Sequence, residues 1–238
     1  MFILTRPLPK LAASQQAFED AGVPCIGVAT TDIQQPNDVS ARIHSAFSQH
    51  ATIDVVIVTS VYAVSPILTS GINLNAMQII AIGTATAHAL KQALPAHNIL
   101  TPLYHTSEGI LSMHQLDGNT SKQVVIMKGE GGRHHIATTL NERGHSAIEC
   151  NVYQRIDLPT PVFTNKWKIS DVSGIIATSE HLAKQLLNAE STLANLPWLT
   201  ISQRVADALR EQGINSVAVC NGATDNALIA WIKDNWEY

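Results

Sequence analysis

The chain carries the same order of segments twice, and this repeat limits its possible folds more than any other feature. The corresponding positions are Thr59-Ser60 with Thr178-Ser179, residues 81–90 with 200–209, Gly22 with Gly144, Arg6 with Lys128, and residues 106–111 with 223–228. The first two matches share one register, and the others need small shifts of the kind that loop insertions produce. Chance similarity between short apolar segments is the alternative, but it does not explain why the segments occur in the same order in both halves. We therefore interpret the chain as two copies of one unit of about 120 residues.

Each copy alternates short apolar runs with helical patterns. In the first copy, the runs "FILT", "DVVIVTS" and "QIIAIG" have the length of strands, whereas "LPKLAASQQAFEDAG" is typical of a helix. That helix ends at Gly22, where a C-cap favours positive φ. Continuous apolar strands between helices indicate a parallel sheet that is covered on both faces. The sequence therefore predicts an α/β fold with two doubly wound parallel-sheet domains, related as a pseudo-repeat.

Two further segments are extended in character and occupy corresponding places in the two copies. They are "PCIGVATTDI" at residues 24–33 and the stretch around residues 148–157. Since each follows a matching helix, we expect the two segments to pair as a two-stranded linker between the domains.

Composition places the chain among globular proteins. Of its 238 residues, 45% are hydrophobic and 14% are charged, which is enough apolar surface for sizeable cores. The apolar runs are far shorter than the roughly 18 residues of a membrane span, and the start of the chain is too brief for a signal peptide. We therefore expect a cytoplasmic protein without a membrane partner.

The net charge and the positions of the cysteines and histidines argue against nucleic-acid-binding, disulfide-rich and metal-binding proteins. A formal charge of −4, without a basic run that alternates with aromatic residues, argues against a nucleic-acid partner. Cys25, Cys150 and Cys220 are scattered and odd in number, so neither a disulfide framework nor a CxxC metal site is expected. Among ten histidines, His134 and His135 are adjacent and would point about 100° apart on a helix. We expect no metal and no other cofactor.

The segment "KGEGGRHH" at residues 128–135 is a candidate anion site. It follows an apolar strand and opens a helical stretch, where backbone N–H groups attract anions. Lys128 and Arg133 add positive charge. The segment has neither a phosphate-loop ending nor the spacing of a dinucleotide motif, and a tight turn alone would also explain its glycines.

Hydroxyl groups follow the strand ends in both copies. Ser60 and Ser179 end their Thr-Ser pairs, and Ser202 corresponds to the region of Gly83 and Thr86 in the first copy. In doubly wound sheets, ligands bind beyond the carboxyl ends of the strands, which favours a binding role. Capping of the following helices is the alternative interpretation. None of the serines lies in a GxSxG elbow, so nucleophilic hydrolysis is disfavoured.

Tyr153 is the aromatic candidate for chemistry. It stands in the second linker segment, with Arg155 on the same face by the two-residue alternation of a strand. From the residues alone, a packing role for this tyrosine is the alternative to a catalytic one.

Seven motifs follow one another along the chain and together cover essentially all of it: "LTRP", "TSVYAV", "IGTATAHAL", "MKGEGGR", "VYQR", "ATSEHL" and "ISQRVADALREQG". Taken in this order, they resemble the uroporphyrinogen-III synthase family. Two departures are Tyr62, where the family also has small or polar residues, and Val205, which replaces the hydroxyl that Thr86 has in the other copy.

The resemblance implies how the domains are assembled along the chain. The first strand and helix would belong with the C-terminal half, which gives a discontinuous domain of residues 1–30 plus 157–238. Residues 34–149 would form the second domain, and residues 24–33 and 148–157 would be the linker strands.

The resemblance also implies a reaction. Family members take hydroxymethylbilane, a linear tetrapyrrole with eight carboxylates, remove its terminal hydroxyl as water and close the ring with inversion of ring D, by way of a spiro intermediate. This cyclising hydro-lyase reaction of haem biosynthesis would occur in the cleft between the domains, without metal or organic cofactor. We expect a monomer.

Residue roles follow from the same resemblance. Tyr153 matches the family tyrosine that helps the hydroxyl leave. The substrate-binding candidates are Arg6, Ser60, Gly83, Thr86, Lys128, Gly129, Arg133, Ser179 and Ser202, with Arg155 as a further cation. Two alternatives stay open: a non-catalytic two-lobed protein that binds a small anion, and a degenerate synthase-like module with a regulatory role.

Overall fold

A computed structural model describes residues 1–220 and 222–236 of the chain. The strands are β1 (Phe2–Thr5), β2 (Cys25–Gln34), β3 (Val55–Val58), β4 (Gln78–Ala81), β5 (Ile99–Leu100), β6 (Gln123–Gly129), β7 (Ser146–Phe163), β8 (Gly174–Ala177), β9 (Trp198–Thr200) and β10 (Val217–Val219). The helices are α1 (Leu8–Asp20), α2 (Val39–Ser48), α3 (Val64–Thr69), α4 (Thr84–Ala93), α5 (Ser107–Leu111), α6 (His135–Glu142), α7 (Glu180–Ala189), α8 (Gln203–Glu211) and α9 (Asp225–Asn235). Short 3₁₀ helices span Val61–Ala63, His114–Leu116, Ile169–Asp171 and Ser191–Asn195.

The chain divides into two compact units. One consists of Met1–Ile33 with Ile156–Tyr238, and the other of Gln34–Arg155. The chain passes from the first unit to the second within β2 and returns within β7. Both segments that the sequence predicted to be extended are therefore strands.

The first unit is built on a parallel sheet with the strand order β10-β9-β8-β1-β2. Alternation along β1 sends its side chains to opposite faces. Ile3 joins an apolar cluster with residues of α7 and α8, whereas Phe2 and Leu4 join a cluster with residues of α1 and α9. Helices therefore cover this sheet on both faces, as its continuous apolar strands predicted.

The second unit is built on a parallel sheet with the order β7-β6-β3-β4-β5. Val56 and Val58 of β3 face a cluster with α2, α3 and α4, and Val55 and Ile57 face a cluster with α5 and α6. The carboxyl ends of parallel strands lie at one edge of a sheet, so the segments after β3, β4 and β6 gather there.

Local signals placed several elements correctly. The runs "FILT", "DVVIVTS" and "QIIAIG" contain β1, β3 and β4. Gly22 has φ of 75° and donates its N–H to the carbonyl of Glu19, so it ends α1 as the left-handed residue after the C-cap residue Ala21.

The three cysteines are free and buried. Burial raises the pKa of the Cys25 thiol to about 12 and that of Cys150 to about 11, so both stay protonated at neutral pH. Over the described ranges, 1–220 and 222–236, no group of three or more histidine, cysteine, aspartate or glutamate residues could hold a metal ion.

Membrane spans were sought among the same described residues. No helix there combines the length and the apolar character that crossing a bilayer requires.

Candidate active site

A pocket of roughly 350 Å³ opens at the carboxyl edge of the sheet in the unit Gln34–Arg155. Its wall consists of the segment 128–133 at the end of β6 and of Glu149, Tyr153 and Arg155 on the neighbouring strand β7. Thr59 and Ser107 add hydroxyl-bearing residues, and isoleucine side chains form the apolar floor. The pocket therefore combines cations, carboxylates and a phenol over an apolar base.

The glycine segment after β6 turns sharply before α6 begins at His135. Gly131 has φ of 72°, a left-handed conformation that costs a side-chain-bearing residue energy. Within the described parts of the chain, no acceptor is found for the backbone N–H groups of Gly131, Gly132 and Arg133. These N–H groups are open to an anionic ligand, with the positive end of the α6 dipole behind them.

Lys128 holds the glycine segment in this shape. Its side chain lies underneath, and the residue is only 5% exposed. Its Nζ donates to the carbonyls of Gly132 and Arg133 and to Oε1 of Glu149, each at 3.0 Å. An ammonium group has three protons, so these three bonds use all of them. Lys128 was predicted to bind substrate; in the structure its contacts are to the segment that would do so.

Glu149 balances the buried charge of Lys128, and the sequence analysis did not select it. Its second oxygen, Oε2, lies 2.6 Å from Nδ1 of His134. The carboxylate thus joins the ends of the glycine segment. The available signal was weak: Glu149 shares the two-residue alternation of Tyr153 and Arg155 along β7.

A β-bulge sets the position of Tyr153. Lys128 pairs with Asn151, but the next residue, Gly129, pairs with Tyr153, so the register shifts by one. The N–H of Glu130 then donates to the carbonyl of Tyr153 at 2.8 Å. A Cβ atom at Gly129 would lie 2.5 Å from Cε2 and 2.9 Å from the hydroxyl oxygen of Tyr153. A side chain at this position would therefore force the ring to move.

Two arginines line the pocket, and a carboxylate follows one of its lining residues in sequence. Arg133 and Arg155 are exposed and line the pocket. Hydrogen bonds from its own backbone N–H and from the Thr106 hydroxyl hold the pKa of Glu108 below its usual value, and the charges of His135 and Arg133 add to the effect. Glu108 is therefore ionised at neutral pH. It directly follows the pocket residue Ser107, and neither residue was predicted from the sequence.

Comparison with known proteins identifies the family. A family model described as uroporphyrinogen-III synthase HemD matches residues 12–230. The chain belongs to the uroporphyrinogen-III synthase family. Members of this family are enzymes of porphyrin biosynthesis, and the resemblance read from the motifs is confirmed.

Uroporphyrinogen-III synthases from bacteria are similar in sequence. The one from Proteus mirabilis is 30% identical over 198 residues, which is 79% of this chain and 97% of that protein. The one from Escherichia coli K12 is 31% identical over 158 residues, which is 63% of this chain and 64% of that protein. The E. coli match therefore leaves about a third of each protein unaligned.

Solved structures of uroporphyrinogen-III synthases share the fold. A mutant enzyme from Thermus thermophilus aligns over 98% of both chains with a TM-score of 0.60 and 15% identity. The Helicobacter pylori enzyme aligns over 98% of both chains with a TM-score of 0.58 and 17% identity. At such identities the likeness shows the α/β fold with a mostly parallel sheet, as predicted.

The other predicted binding residues of the same unit lie near the strand ends but do not line the pocket as the structure describes it. The Ser60 hydroxyl accepts the N–H of Tyr62 at 3.3 Å and so caps the 3₁₀ helix Val61–Ala63. Gly83 begins α4 with an extended backbone, and a Cβ there would lie 3.3 Å from Cβ of His105. Thr86 is 4% exposed, so its hydroxyl lies inside the unit. Substrate contacts by these three residues stay predictions.

Arg6, Ser179 and Ser202 lie in the other unit, and each has an internal partner. Arg6 is 8% exposed, donates to the carbonyl of Ala223 at 3.2 Å, and forms an ion pair with Asp225. Ser179 caps α7 and Ser202 caps α8 through their hydroxyl oxygens. The capping interpretation is confirmed for both serines, and their contacts to substrate stay predictions.

Proposed function

We propose that this protein catalyses the closure of hydroxymethylbilane to uroporphyrinogen III, with inversion of ring D and loss of water. The observation that carries the proposal is the fixed placement of Tyr153 beside a glycine segment with open N–H groups. A phenol supplies a proton donor, and the segment supplies an anion-binding surface, within one pocket.

Tyr153 would act on the leaving hydroxyl. Its O–H donates to the terminal hydroxyl of the bilane, which departs as water while the adjacent pyrrole nitrogen supplies the electron pair. The substituted carbon of ring D then attacks the methylene carbon that lost the hydroxyl, which forms the spiro intermediate. The bond from this ring D carbon to the methylene on ring C breaks, the released methylene bonds the free α-carbon of ring D, and the proton lost from that carbon balances the one that Tyr153 donated. General acid assistance of this kind contributes a rate factor of about 10²- to 10⁴-fold. We expect a factor near the lower end of this range, because the pyrrole nitrogen of the substrate also drives the departure of the hydroxyl.

The glycine segment would hold carboxylates of the substrate. The open N–H groups of Gly131, Gly132 and Arg133 supply neutral donors, and the side chains of Arg133 and Arg155 supply charge. Lys128 would act indirectly, because its three protons hold the segment itself. Binding at several points would fold the flexible bilane so that the inverting attack is favoured over simple closure.

The test is a coupled assay with Tyr153→Phe. Hydroxymethylbilane is generated in situ, the protein is added without metal or cofactor, and the oxidised products are separated into isomers I and III. We expect isomer III to dominate with the wild-type protein, and kcat to fall about 10- to 100-fold in Tyr153→Phe.

Tyr104→Phe is the matched control, because Tyr104 is 69% exposed and lies in the same unit without lining the pocket. It should leave the rate unchanged. Formation of isomer I alone by folded wild-type protein would refute the proposal. Stoichiometric binding of the bilane without turnover would then support the binding or regulatory alternative.

Cytoplasmic location and a monomeric state belong to the same proposal. Size-exclusion chromatography with light scattering should give a mass near 25.7 kDa, the mass of one chain. A mass of twice that value would overturn the monomer.

A further inference from the structure

Tyr62 packs against the ring of Tyr153. The two ring centroids are 5.6 Å apart and the ring planes are inclined by 59°, a tilted arrangement of the kind that aromatic pairs favour. Tyr62 lies in the 3₁₀ helix Val61–Ala63, directly after the Thr59-Ser60 pair at the end of β3. Tyr153 lies within β7, so the two tyrosines come from different elements and are far apart in sequence.

Hydroxyl groups anchor the segment that carries Tyr62. Both the N–H and the Oγ1 of Thr59 donate to the carbonyl of Met127, each at 3.0 Å. The Oγ of Ser60 then accepts the N–H of Tyr62. Because Met127 is two residues before Gly129, these bonds tie Tyr62 to the same stretch of β6 that shapes the pocket.

The ring of Tyr153 thus has a fixed neighbour in addition to the backbone at Gly129. The close approach at Gly129 prevents the ring from moving toward β6. The Tyr62 ring occupies further space beside it. Tyr153 itself packs against the apolar cluster formed with α2, α3 and α4. The Tyr153 ring can still rotate or tilt, and the contact with the Tyr62 ring limits these movements.

We propose that Tyr62 is a positioning residue that holds the Tyr153 ring in the orientation needed for proton donation. This inference rests on the proposed function of Tyr153. It assigns the Thr59-Ser60 pair a further task, which is to place Tyr62. In the other unit, the residue corresponding to Tyr62 is His181, whose Nε2 lies 2.7 Å from Asp157, so the arrangement belongs to one copy.

The test combines Tyr62→Leu with Tyr153→Phe. Loss of the ring should lower kcat of Tyr62→Leu about 10-fold, because small misplacements of a catalytic group are costly, while KM changes less than about 3-fold. Tyr62→Phe keeps the ring and should retain most of the wild-type kcat. In the Tyr153→Phe background, Tyr62→Leu should cause no further loss, since no phenol remains to be positioned.

Leu74→Ala is the control for a merely structural effect. Leu74 is buried in the same apolar cluster but does not line the pocket. It should lower the denaturant midpoint with little change in kcat. If Tyr62→Leu does not fold, Tyr62→Met makes the same comparison with a flexible side chain of similar length.

The outcomes separate the two proposals. Full activity of Tyr153→Phe would overturn the acid role of Tyr153 and the inference with it. An impaired Tyr153→Phe together with a fully active Tyr62→Leu would overturn the positioning role alone. An equal loss from Tyr62→Leu in the wild-type and Tyr153→Phe backgrounds would also overturn it, because the effect would not pass through the phenol.

Discussion

Replacing Lys128 by methionine removes the group that holds the glycine segment while keeping the length of an unbranched side chain. The side chains of Lys128 and Glu149 are only 6% and 17% exposed. Their pair is therefore screened less than a surface pair. Lys128→Met leaves the Glu149 carboxylate partly buried without its main cation and frees the carbonyls of Gly132 and Arg133.

The expected cost follows from this burial. Removing one partner of a buried ion pair costs about 3–5 kcal/mol of stability. We expect a cost near the lower end of this range, because Glu149 keeps His134 as a partner at its other carboxylate oxygen. For a chain of this size, about 3 kcal/mol corresponds to a fall in Tm of roughly 6–12 °C. Because the segment loses its anchors, we expect a roughly 10-fold rise in KM with a smaller change in kcat.

Denaturant unfolding, coupled kinetics and amide hydrogen exchange check this expectation together. Exchange should increase at the amides bonded to and from this segment, Glu130, which donates to the carbonyl of Tyr153, and Thr138, which donates to the carbonyl of His134. Lys184→Met is the matched control, since Lys184 forms a more exposed pair with Glu180 at 2.8 Å and should cost much less stability. The double variant Lys128→Met/Glu149→Gln should recover part of the stability, because no unpaired carboxylate remains. A single variant as stable as the wild type, or strictly additive effects in the double variant, would refute the reasoning.

Two further predictions concern Gly129 and Cys25. Gly129→Ala places a methyl group 2.5 Å from the Tyr153 ring, so we expect a loss of about 1–3 kcal/mol in the free energy of unfolding and a lower kcat. Gly144→Ala has nothing within 4 Å of its Cβ position but a φ of 85°, so it should lose stability through backbone strain while kcat stays unchanged. Normal kinetics in Gly129→Ala would contradict the tight fit. The pKa of Cys25 is raised from 9.0 to about 12, first by burial and then by Glu19 and Asp225, so its thiol stays protonated in the folded protein where the unfolded chain ionises. Its contribution to stability is complete below pH 9 and is lost as the pH rises from about 9 to 12, by up to about 4 kcal/mol. Urea unfolding of Cys25→Ala should show a shallower decline over this range, and an unchanged slope would exclude the assignment.

The sequence by itself determined the elements that depend on near neighbours. Apolar runs of strand length specified β1, β3 and β4, since such runs bury both faces of a parallel strand. Gly22 marked the end of α1 because only glycine adopts its φ readily. Ser179 and Ser202 marked helix starts because their hydroxyls satisfy N–H groups three residues on. The order of motifs along the chain was also enough to place it in its family.

Only the tertiary structure decided which of these groups meet. Glu149 contacts Lys128, and Tyr62 contacts Tyr153, through strand order and a one-residue register shift, neither of which local sequence specifies. Neighbouring strands in a parallel sheet are separated along the chain by a crossover, so their pairing depends on long-range packing rather than on spacing. The carbonyls that hold the Lys128 ammonium group are likewise set by the tertiary structure, and its contact with substrate stays a prediction.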